Sequence, residues 1–307
     1  MSLLAFNAYN QSFSFHAYNK SSSSKKSTSK YYPGLDINGP HFLDSSNQFQ
    51  IHPCIINAEK TPENLPKDFI VTLATQSTLS RLEGLKEITK YWSGPMSISI
   101  FTPSIEFQLV DAYLRHLYTC HDDINLGDRI TVNIFYPLER PPIITNDTSD
   151  KYEVDCSVTP DTNEFLATLL LDEALNDPNY LKWRTEYPYP QNIGRNIARK
   201  SIETEYMFLV DSDIIPSLNS AEALTRFLSI NKHCEQLAFV VPVYELDEKL
   251  SYPEDKKALM QAVSAQKARP FHVKIFPPNS RATNYARYEN DHQNDYTNLH
   301  VSHVYEV

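Results

Sequence analysis

From residue 68 to residue 136, the chain alternates between short apolar runs and segments with a helical stripe of apolar residues. The segment "DFIVTLATQ" (68–76) is an apolar run with the length of a buried strand. In residues 75–91 the apolar side chains recur every three residues, which predicts an amphipathic helix with one face turned to a core. That face is formed by Leu79, Leu82, Leu85 and Ile88.

The same pattern recurs before residue 137. The segments "MSISIF" (96–101) and "RITVNIFY" (129–136) alternate apolar residues at strand spacing, and residues 104–120 between them show a helical stripe. A strand–helix–strand–helix–strand order predicts a parallel sheet with helices on both faces, because parallel neighbours need a crossover connection. The predicted fold class is therefore α/β, with a mostly parallel sheet flanked by helices.

The second half of the chain repeats this order after an interruption. Residues 137–188 form a polar, insert-like stretch with one predicted helix over 163–175. The pattern then predicts helices over 191–203, 220–230 (with Ser220 as N-cap) and 253–266, and strands over 206–210 and 237–245.

The chain before residue 68 lacks this periodicity. Residues 1–30 end in "SSSSKKSTSK" and are predicted to be disordered, because they offer too little apolar surface to form a core. Residues 31–67 carry several prolines and one short apolar run, which indicates a stem or irregular lead-in. The folded domain is therefore predicted to span residues 68–307.

Composition and charge narrow the classes of function. The 307 residues are 41% hydrophobic, which is enough to build a sizeable core. Lys and Arg total 28 against 38 Asp and Glu, so the net charge is −10, which argues against a nucleic-acid partner. An anionic ligand would need a metal ion or local arginines. No apolar run reaches the ~20 residues that span a bilayer, so no membrane anchor is visible.

Cysteine and glycine usage exclude two kinds of site. Cys54, Cys120, Cys156 and Cys234 lie far apart, without the spacing of a zinc site. Buried thiols and one or two lumenal disulfides both remain open. The chain has only 6 glycines and no Gly-rich phosphate loop, which disfavours a nucleotide-binding protein of that type.

Two aspartates follow the predicted strand 206–210, in the sequence "YMFLVDSDIIPSLN" (206–219). Ligands of an open parallel sheet bind outside the carboxyl ends of its strands, and Asp211 and Asp213 come at such an end. Two carboxylates suit Mg²⁺ or Mn²⁺ and leave positions open for diphosphate oxygens. The alternative is a pair of solvated loop acids, because an Asp-x-Asp sequence alone is common.

Three blocks of the sequence resemble glycosyltransferase family 49. They are "FIVTLATQSTLSRLEGLKEITKYWSGPMSISIF" (69–101), "YPQNIGRNIARKSIETEYMFLVDSDIIPS" (189–217) and residues 238–288, which include "AFVVPVYE" and "RATNYARY". The resemblance runs from about residue 68 to the end and is interrupted at 137–188. It implies a GT-A-like (Rossmann-like) fold and an inverting transferase that uses a UDP-sugar with Mn²⁺ or Mg²⁺.

The resemblance also implies roles for particular residues. Asp211 and Asp213 would hold the metal ion on the donor diphosphate. Glu245 is a candidate general base, with a structural carboxylate as the alternative. The candidate donor-binding residues are Thr72, Ala74, Thr75, Arg195, Asn196 and Ser212, and the candidates for sugar or acceptor hydroxyls are Thr283 and Asn284.

Partners and location follow from the same resemblance. Glucuronate is the expected sugar, N-acetylglucosamine is the alternative, and the acceptor is a glycan or glycoprotein. The resemblance implies the Golgi lumen and an N-terminal membrane anchor, although none is visible in this chain.

The sequence departs from the family pattern after the Thr-Asn-aromatic segment. A Glu-Pro-aromatic segment and a further metal-binding histidine are expected downstream, and His300 and His303 do not match that position. We therefore expect the GT-A-like domain to be incomplete at its C-terminus. A catalytically inactive GT-A-like domain that binds a glycan or a partner is the alternative function.

Overall fold

The computed structural model describes residues 32–58, 69–121, 124, 126–144, 154, 156–157, 178–230, 238–275 and 283–290. The predicted disordered segment 1–30, the predicted helix 163–175 and both C-terminal histidines lie outside these residues.

A mixed sheet of six strands forms the centre of the described structure. In chain order its strands are β1 (Phe42–Leu43), β2 (Phe49–Ile56), β3 (Val71–Thr78), β4 (Met96–Phe101), β5 (Ile130–Pro137) and β6 (Tyr206–Leu209). They lie side by side in the order β1-β2-β5-β4-β3-β6. Because β2 is antiparallel to both of its neighbours and the other pairs are parallel, only β2 runs against the rest.

Helices flank this sheet, as the α/β prediction required. In the described part of the chain they are α1 (Glu83–Tyr91), α2 (Glu106–Cys120), α3 (Pro178–Glu186), α4 (Gln191–Lys200), α5 (Ser220–Ile230), α6 (Lys256–Ser264) and α7 (Tyr285–Asn290). A separate antiparallel pair consists of β7 (Tyr244–Leu246) and β8 (Ala268–Pro270). Within the described ranges, no helix has both the length and the apolar character to cross a bilayer.

The two faces of the parallel strands differ in chemistry. One face is apolar: Ile98, Ile100, Val132 and Ile134 are fully buried in a core that also contains apolar side chains of α1 and α2. Residues of opposite parity point to the other face, which lies under α4. There the Ser97 hydroxyl donates to the Ala198 carbonyl at 2.8 Å, and the Ser99 hydroxyl donates to the Gly194 carbonyl at 2.6 Å.

Gly194 allows α4 to lie this close to the sheet. A Cβ at this position would lie 3.0 Å from the Gln76 Cβ and 3.2 Å from the Ser99 Oγ, which is tighter than ordinary side-chain packing. The missing side chain therefore sets the distance between α4 and strands β3 and β4.

The boundary between β3 and α1 differs from the prediction. A helix was expected from residue 75, but residues 75–78 continue β3 and pair with β4 from Ile98 to Phe101. A 3₁₀ turn, Leu79–Arg81, separates the strand from α1. The predicted buried face is confirmed, since Leu79, Leu82, Leu85 and Ile88 are each at most 1% exposed.

The prediction of an irregular lead-in is wrong for Phe49–Ile56, which is strand β2. Its Phe49, Ile51 and Ile56 side chains are buried, and it pairs with β5 from Phe49↔Pro137 to Ile56↔Val132. The pairing register shifts between His52 and Ile56, around Pro53, which is where a sheet tolerates proline. The sheet thus extends beyond the predicted domain start at residue 68.

Two predictions around the later elements are also wrong. The predicted strand 237–245 is strand only at its end, in β7, which pairs with β8 outside the main sheet. Ser220 is the first residue of α5 rather than its cap, and within the described part of the chain its buried hydroxyl has no hydrogen-bond partner. A side-chain N-cap does form at α6, where the Asp255 carboxylate accepts a hydrogen bond from the Ala258 amide at 2.6 Å.

Two of the four cysteines form a disulfide. Cys120, the last residue of α2, is bonded to Cys156. Cys54 is exposed and carries a free thiol, and Cys234 lies outside the described residues.

Candidate functional site

The order of the sheet strands reverses between β3 and β6. From β3 the chain adds β4 and then β5 on one side, and β6 later pairs with the other side of β3. In open α/β sheets, ligands bind in the crevice outside the carboxyl ends of the strands at such a reversal. Asp211 and Asp213 follow β6 directly, and Gln76 lies in the last half of β3, so these side chains meet at that crevice.

Asp211 accepts hydrogen bonds from α4 and β3. The Arg195 Nη2 lies 2.6 Å from its Oδ1 and 2.9 Å from its Oδ2, which forms an ion pair. The Gln76 and Gln191 side-chain amides donate to Oδ1 at 3.0 Å and 3.4 Å. Gln191 and Arg195 are four residues apart and therefore share the face of α4 that is turned to this carboxylate.

Asp213 pairs with a second arginine. The Arg81 Nη1 lies 2.8 Å from the Asp213 Oδ2, and the two side chains are 56% and 39% exposed. Burial raises the pKa of Asp213, the positive charge of Arg81 opposes this rise, and the negative charge of Asp211 adds to it. Each aspartate of the pair thus has its own guanidinium partner.

Tyr189 fixes the orientation of the Gln76 side chain. Its hydroxyl donates to the Gln76 Oε1, which leaves the Gln76 amide nitrogen to donate to Asp211. Burial, and then the negative charge of Asp211, raise the pKa of Tyr189 well above its ordinary value, so it remains a donor. A continuous chain of hydrogen bonds therefore joins Tyr189, Gln76, Asp211 and Arg195, and it links β3 to α4.

Gly84, in the first turn of α1, lies against the turn that holds the aspartates. A Cβ at this position would overlap the backbone carbonyl oxygen of Ser212. Ser212 itself is buried, at 5% exposed, between Asp211 and Asp213. The Asp-Ser-Asp turn (211–213) thus occupies space that any other residue at position 84 would fill.

Comparison with known proteins supports the resemblance seen in the sequence. Residues 70–307 match the model of glycosyltransferase family 49, described as "Glycosyl-transferase for dystroglycan". The chain belongs to this family. Its membership confirms the predicted family and agrees with the α/β, GT-A-like architecture of the sheet.

Curated relatives are similar at low identity. Beta-1,4-glucuronyltransferase 1 of Mus musculus is 25% identical over 256 residues, which cover 81% of this chain and 56% of the relative. The Homo sapiens protein of the same name is 24% identical over the same lengths. The xylosyl- and glucuronyltransferase LARGE2 of Rattus norvegicus is 23% identical over 83% of this chain and 30% of the relative. The chain thus spans about half the length of the glucuronyltransferases that it matches.

The residues expected to bind the donor in a family 49 protein lie in different elements of the structure. Ala74 and Thr75 are fully buried in the middle of β3, and the Thr75 hydroxyl has no hydrogen-bond partner among the residues that the structure describes. Thr72 bonds to the Thr204 hydroxyl at 2.7 Å near the start of β3, ~13 Å along the strand from Gln76 at about 3.3 Å per residue. Asn196 is exposed on α4, and no hydrogen bond joins it to Asp211 in the described structure.

Glu245 and the Thr283–Asn284 pair make structural contacts. The Glu245 Oε2 accepts from the Arg269 Nε at 2.5 Å, and its Oε1 accepts from the His272 amide at 3.0 Å, so both oxygens serve the β7–β8 pair. The Asn284 Oδ1 accepts from the Arg287 amide at 2.9 Å, just before α7. These contacts match the structural alternative that the sequence left open for Glu245.

The aspartate pair is the candidate metal site of the family. Across the described ranges, no group of three or more His, Cys, Asp or Glu side chains could hold a metal ion. Two carboxylates nevertheless fit a hard divalent cation that shares its shell with substrate phosphate oxygens, since Mg²⁺ is commonly held in that way. Any such cation would meet two carboxylates that are already paired with arginines.

The sequence did not indicate several members of this site. Gln76, Arg81, Tyr189 and Gly84 all fall within the blocks that resemble the family, but neither their residue types nor their spacing pointed to Asp211 or Asp213. The available signal was position, because Gln76 lies at the carboxyl end of the strand beside β6.

Proposed function

We propose that this chain carries the donor-binding part of an inverting glycosyltransferase that moves a sugar from a UDP-sugar to a hydroxyl of a glycan or glycoprotein. The observation that carries this proposal is the position of Asp211 and Asp213 at the strand-order reversal of a family 49 protein. Glucuronate is the proposed sugar, because the relatives are named glucuronyltransferases.

In this proposal, Asp211 and Asp213 would hold Mn²⁺ or Mg²⁺, which when bound neutralises charge on the leaving diphosphate. Gln76 and Tyr189 orient the Asp211 carboxylate through their hydrogen bonds. Arg195 supplies a planar guanidinium that can pair with phosphate oxygens.

This proposal assigns no residue as the general base. Glu245 is 8% exposed, and both of its carboxylate oxygens accept hydrogen bonds from the β8 side of the small sheet. To accept a proton from an acceptor hydroxyl, Glu245 would first have to lose the Arg269 contact. We therefore propose a structural role for Glu245, and Thr283 and Asn284 remain candidates for contacts with sugar hydroxyls.

The Golgi lumen is the proposed location. The Cys120–Cys156 disulfide supports it, because disulfides persist in the oxidising compartments of the secretory route.

Calorimetric titration with UDP tests the metal-assisted donor site. We expect the chain to bind UDP at least ~10-fold more tightly in Mn²⁺ than in chelator, a difference of about 1.4 kcal/mol. Asp213→Asn should lose this gain. Asp36→Asn is the matched control, because Asp36 is exposed and its Oδ1 contact to the Asn38 amide survives the change. Equal UDP affinity of wild type and Asp213→Asn, with and without Mn²⁺, would contradict the site.

Release of UDP from UDP-glucuronate separates an enzyme from an inactive binding domain. An enzyme should release UDP faster when a glycan acceptor is added, and Asp213→Asn should abolish this increase. Metal-dependent UDP binding without any acceptor-dependent release would support the inactive GT-A-like domain instead.

A further inference from the structure

Each aspartate of the 211–213 turn is paired with an arginine from a different element. Arg195 of α4 makes three hydrogen bonds to Asp211, at 2.6, 2.9 and 3.2 Å. Arg81, at the end of the turn between β3 and α1, makes one hydrogen bond to Asp213 at 2.8 Å. Two carboxylates and two guanidinium groups therefore leave the site close to neutral.

This charge balance decides which ligand can enter. A divalent cation added to a neutral site meets two fixed positive charges, which disfavour it. A diphosphate added alone finds both guanidinium groups already paired with carboxylates. When the two ligands arrive together, the cation can take the carboxylates and the diphosphate can take the guanidinium groups. The total charge then stays balanced, and each ligand favours the other.

Arg81 is the arginine that can exchange partners most readily. Its side chain is 56% exposed, whereas the Arg195 side chain is 25% exposed and bonded to both oxygens of Asp211. Exposed single ion pairs contribute little to stability, so releasing Arg81 from Asp213 costs little. Its position in the turn between β3 and α1 leaves it beside the crevice after release, where its guanidinium fork suits phosphate oxygens.

We propose that Arg81 is a ligand of the donor diphosphate, and that it occupies Asp213 until a divalent cation replaces it there. This inference rests on the proposed function, because it takes a metal-bound nucleoside diphosphate as the ligand. It makes Arg81 a competitor of the metal and a partner of the nucleotide. The affinities for the two ligands are therefore coupled through one side chain.

The variant Arg81→Gln tests this inference, because it should move two affinities in opposite directions. Mn²⁺ alone, titrated by the electron paramagnetic resonance signal of the free ion, should bind several-fold more tightly. UDP in saturating Mn²⁺, titrated by calorimetry, should bind about tenfold more weakly, since a charge-assisted contact to phosphate is lost. Arg81→Lys keeps the charge without the fork and should give an intermediate UDP affinity.

Controls separate failure of this inference from failure of the proposed function. Arg226→Gln removes an exposed arginine of α5 and should change neither affinity. If wild type binds Mn²⁺ and UDP through Asp213 but Arg81→Gln leaves UDP affinity unchanged, or weakens both ligands alike, only the role of Arg81 is overturned. If wild type binds neither ligand, the proposed function fails and this inference fails with it.

Discussion

At the scale of single residues, the position of the two aspartates depends on a side chain that is absent. Gly84 lies so close to the Ser212 carbonyl that a methyl group there would overlap it. Gly84 is in the first turn of α1, and Ser212 is held between Asp211 and Asp213. The geometry of the aspartate pair is therefore set partly by a residue without functional groups.

We predict that Gly84→Ala displaces the Asp-Ser-Asp turn. The helix gains about 1 kcal/mol of propensity, but the overlap with backbone costs ~1–3 kcal/mol. UDP affinity in Mn²⁺ should fall by about tenfold, equivalent to ~1.4 kcal/mol. Calorimetry and thermal unfolding measure the two effects.

Gly94→Ala is the matched control for Gly84→Ala. A Cβ at Gly94 would lie 3.1 Å from the Ala221 Cβ and 3.2 Å from the Trp92 Nε1. Gly94 comes just before β4, at the amino ends of the parallel strands, whereas the crevice lies at their carboxyl ends. It should destabilise the chain without changing UDP affinity. If both variants weaken UDP binding equally, the effect is general and Gly84 has no particular role.

The sequence could predict the acidic residues of this site but few of their neighbours. Asp211 and Asp213 were candidates because they follow a predicted strand, at the end of a parallel sheet where ligands bind. Gln76 was not, since a glutamine at a strand end is unremarkable until β6 is known to pair with β3. Gln76 and Asp211 are 135 residues apart in sequence, so only the tertiary fold brings them into contact.

At the scale of elements, α4 is positioned by polar contacts to the sheet as well as by apolar packing. The Ser97 and Ser99 hydroxyls donate to carbonyls of α4, and Gly194 lets the helix approach. This close contact brings Arg195 to Asp211. If α4 lay further from the sheet by the width of a methyl group, Arg195 would move away from the Asp211 carboxylate.

We predict that Gly194→Ala destabilises the chain by ~1–3 kcal/mol, because its Cβ would lie 3.0 Å from the Gln76 Cβ and 3.3 Å from the Phe135 ring. Urea unfolding measures this change, and UDP titration should show weaker binding as Arg195 moves. Asn196→Ala, at an exposed site on the same helix, should leave stability equal or slightly raised. Wild-type stability of Gly194→Ala would show that α4 does not pack this closely.

Elements with clean periodicity were predictable from the sequence. Strands β4 and β5 and helix α2 agree with the predictions to within a few residues. One error lies where polar residues occupy buried strand positions. Residues 75–78, "TQST", look like the start of a helix but end β3 at the crevice, where polar side chains serve the site. Strand β2 was missed because Pro53 interrupts its alternation.

At the scale of the whole molecule, the Cys120–Cys156 disulfide closes a loop with a sequence separation of 36 residues. We predict that the double variant Cys120→Ala/Cys156→Ala is less stable by ~2–4 kcal/mol, because the unfolded chain regains the entropy of that loop. Thermal unfolding with and without reductant measures this: reductant should lower the Tm of wild type and leave the double variant unchanged.

Cys54→Ser is the control for the disulfide variant, because Cys54 is exposed and free. Its Tm should match that of wild type in both conditions. A reductant-dependent fall in the Tm of the double variant would mean that another bond supports the fold.

The pairing of β6 with β3 also governs the order in which the molecule can be assembled during synthesis. Strands β1 to β5 have all left the ribosome once residue 137 has emerged, but β6 begins only at Tyr206. Between Thr78, the end of β3, and Tyr206 the chain has 206 − 78 = 128 residues. At about 5–20 residues per second, the edge of β3 therefore waits roughly 6–26 s for its neighbour. An open strand edge is a template for pairing with other chains during that interval. The strand that leads into Asp211 and Asp213 is thus also the one that closes this edge, so nascent chains form the proposed donor site and lose their exposed β3 edge in a single event.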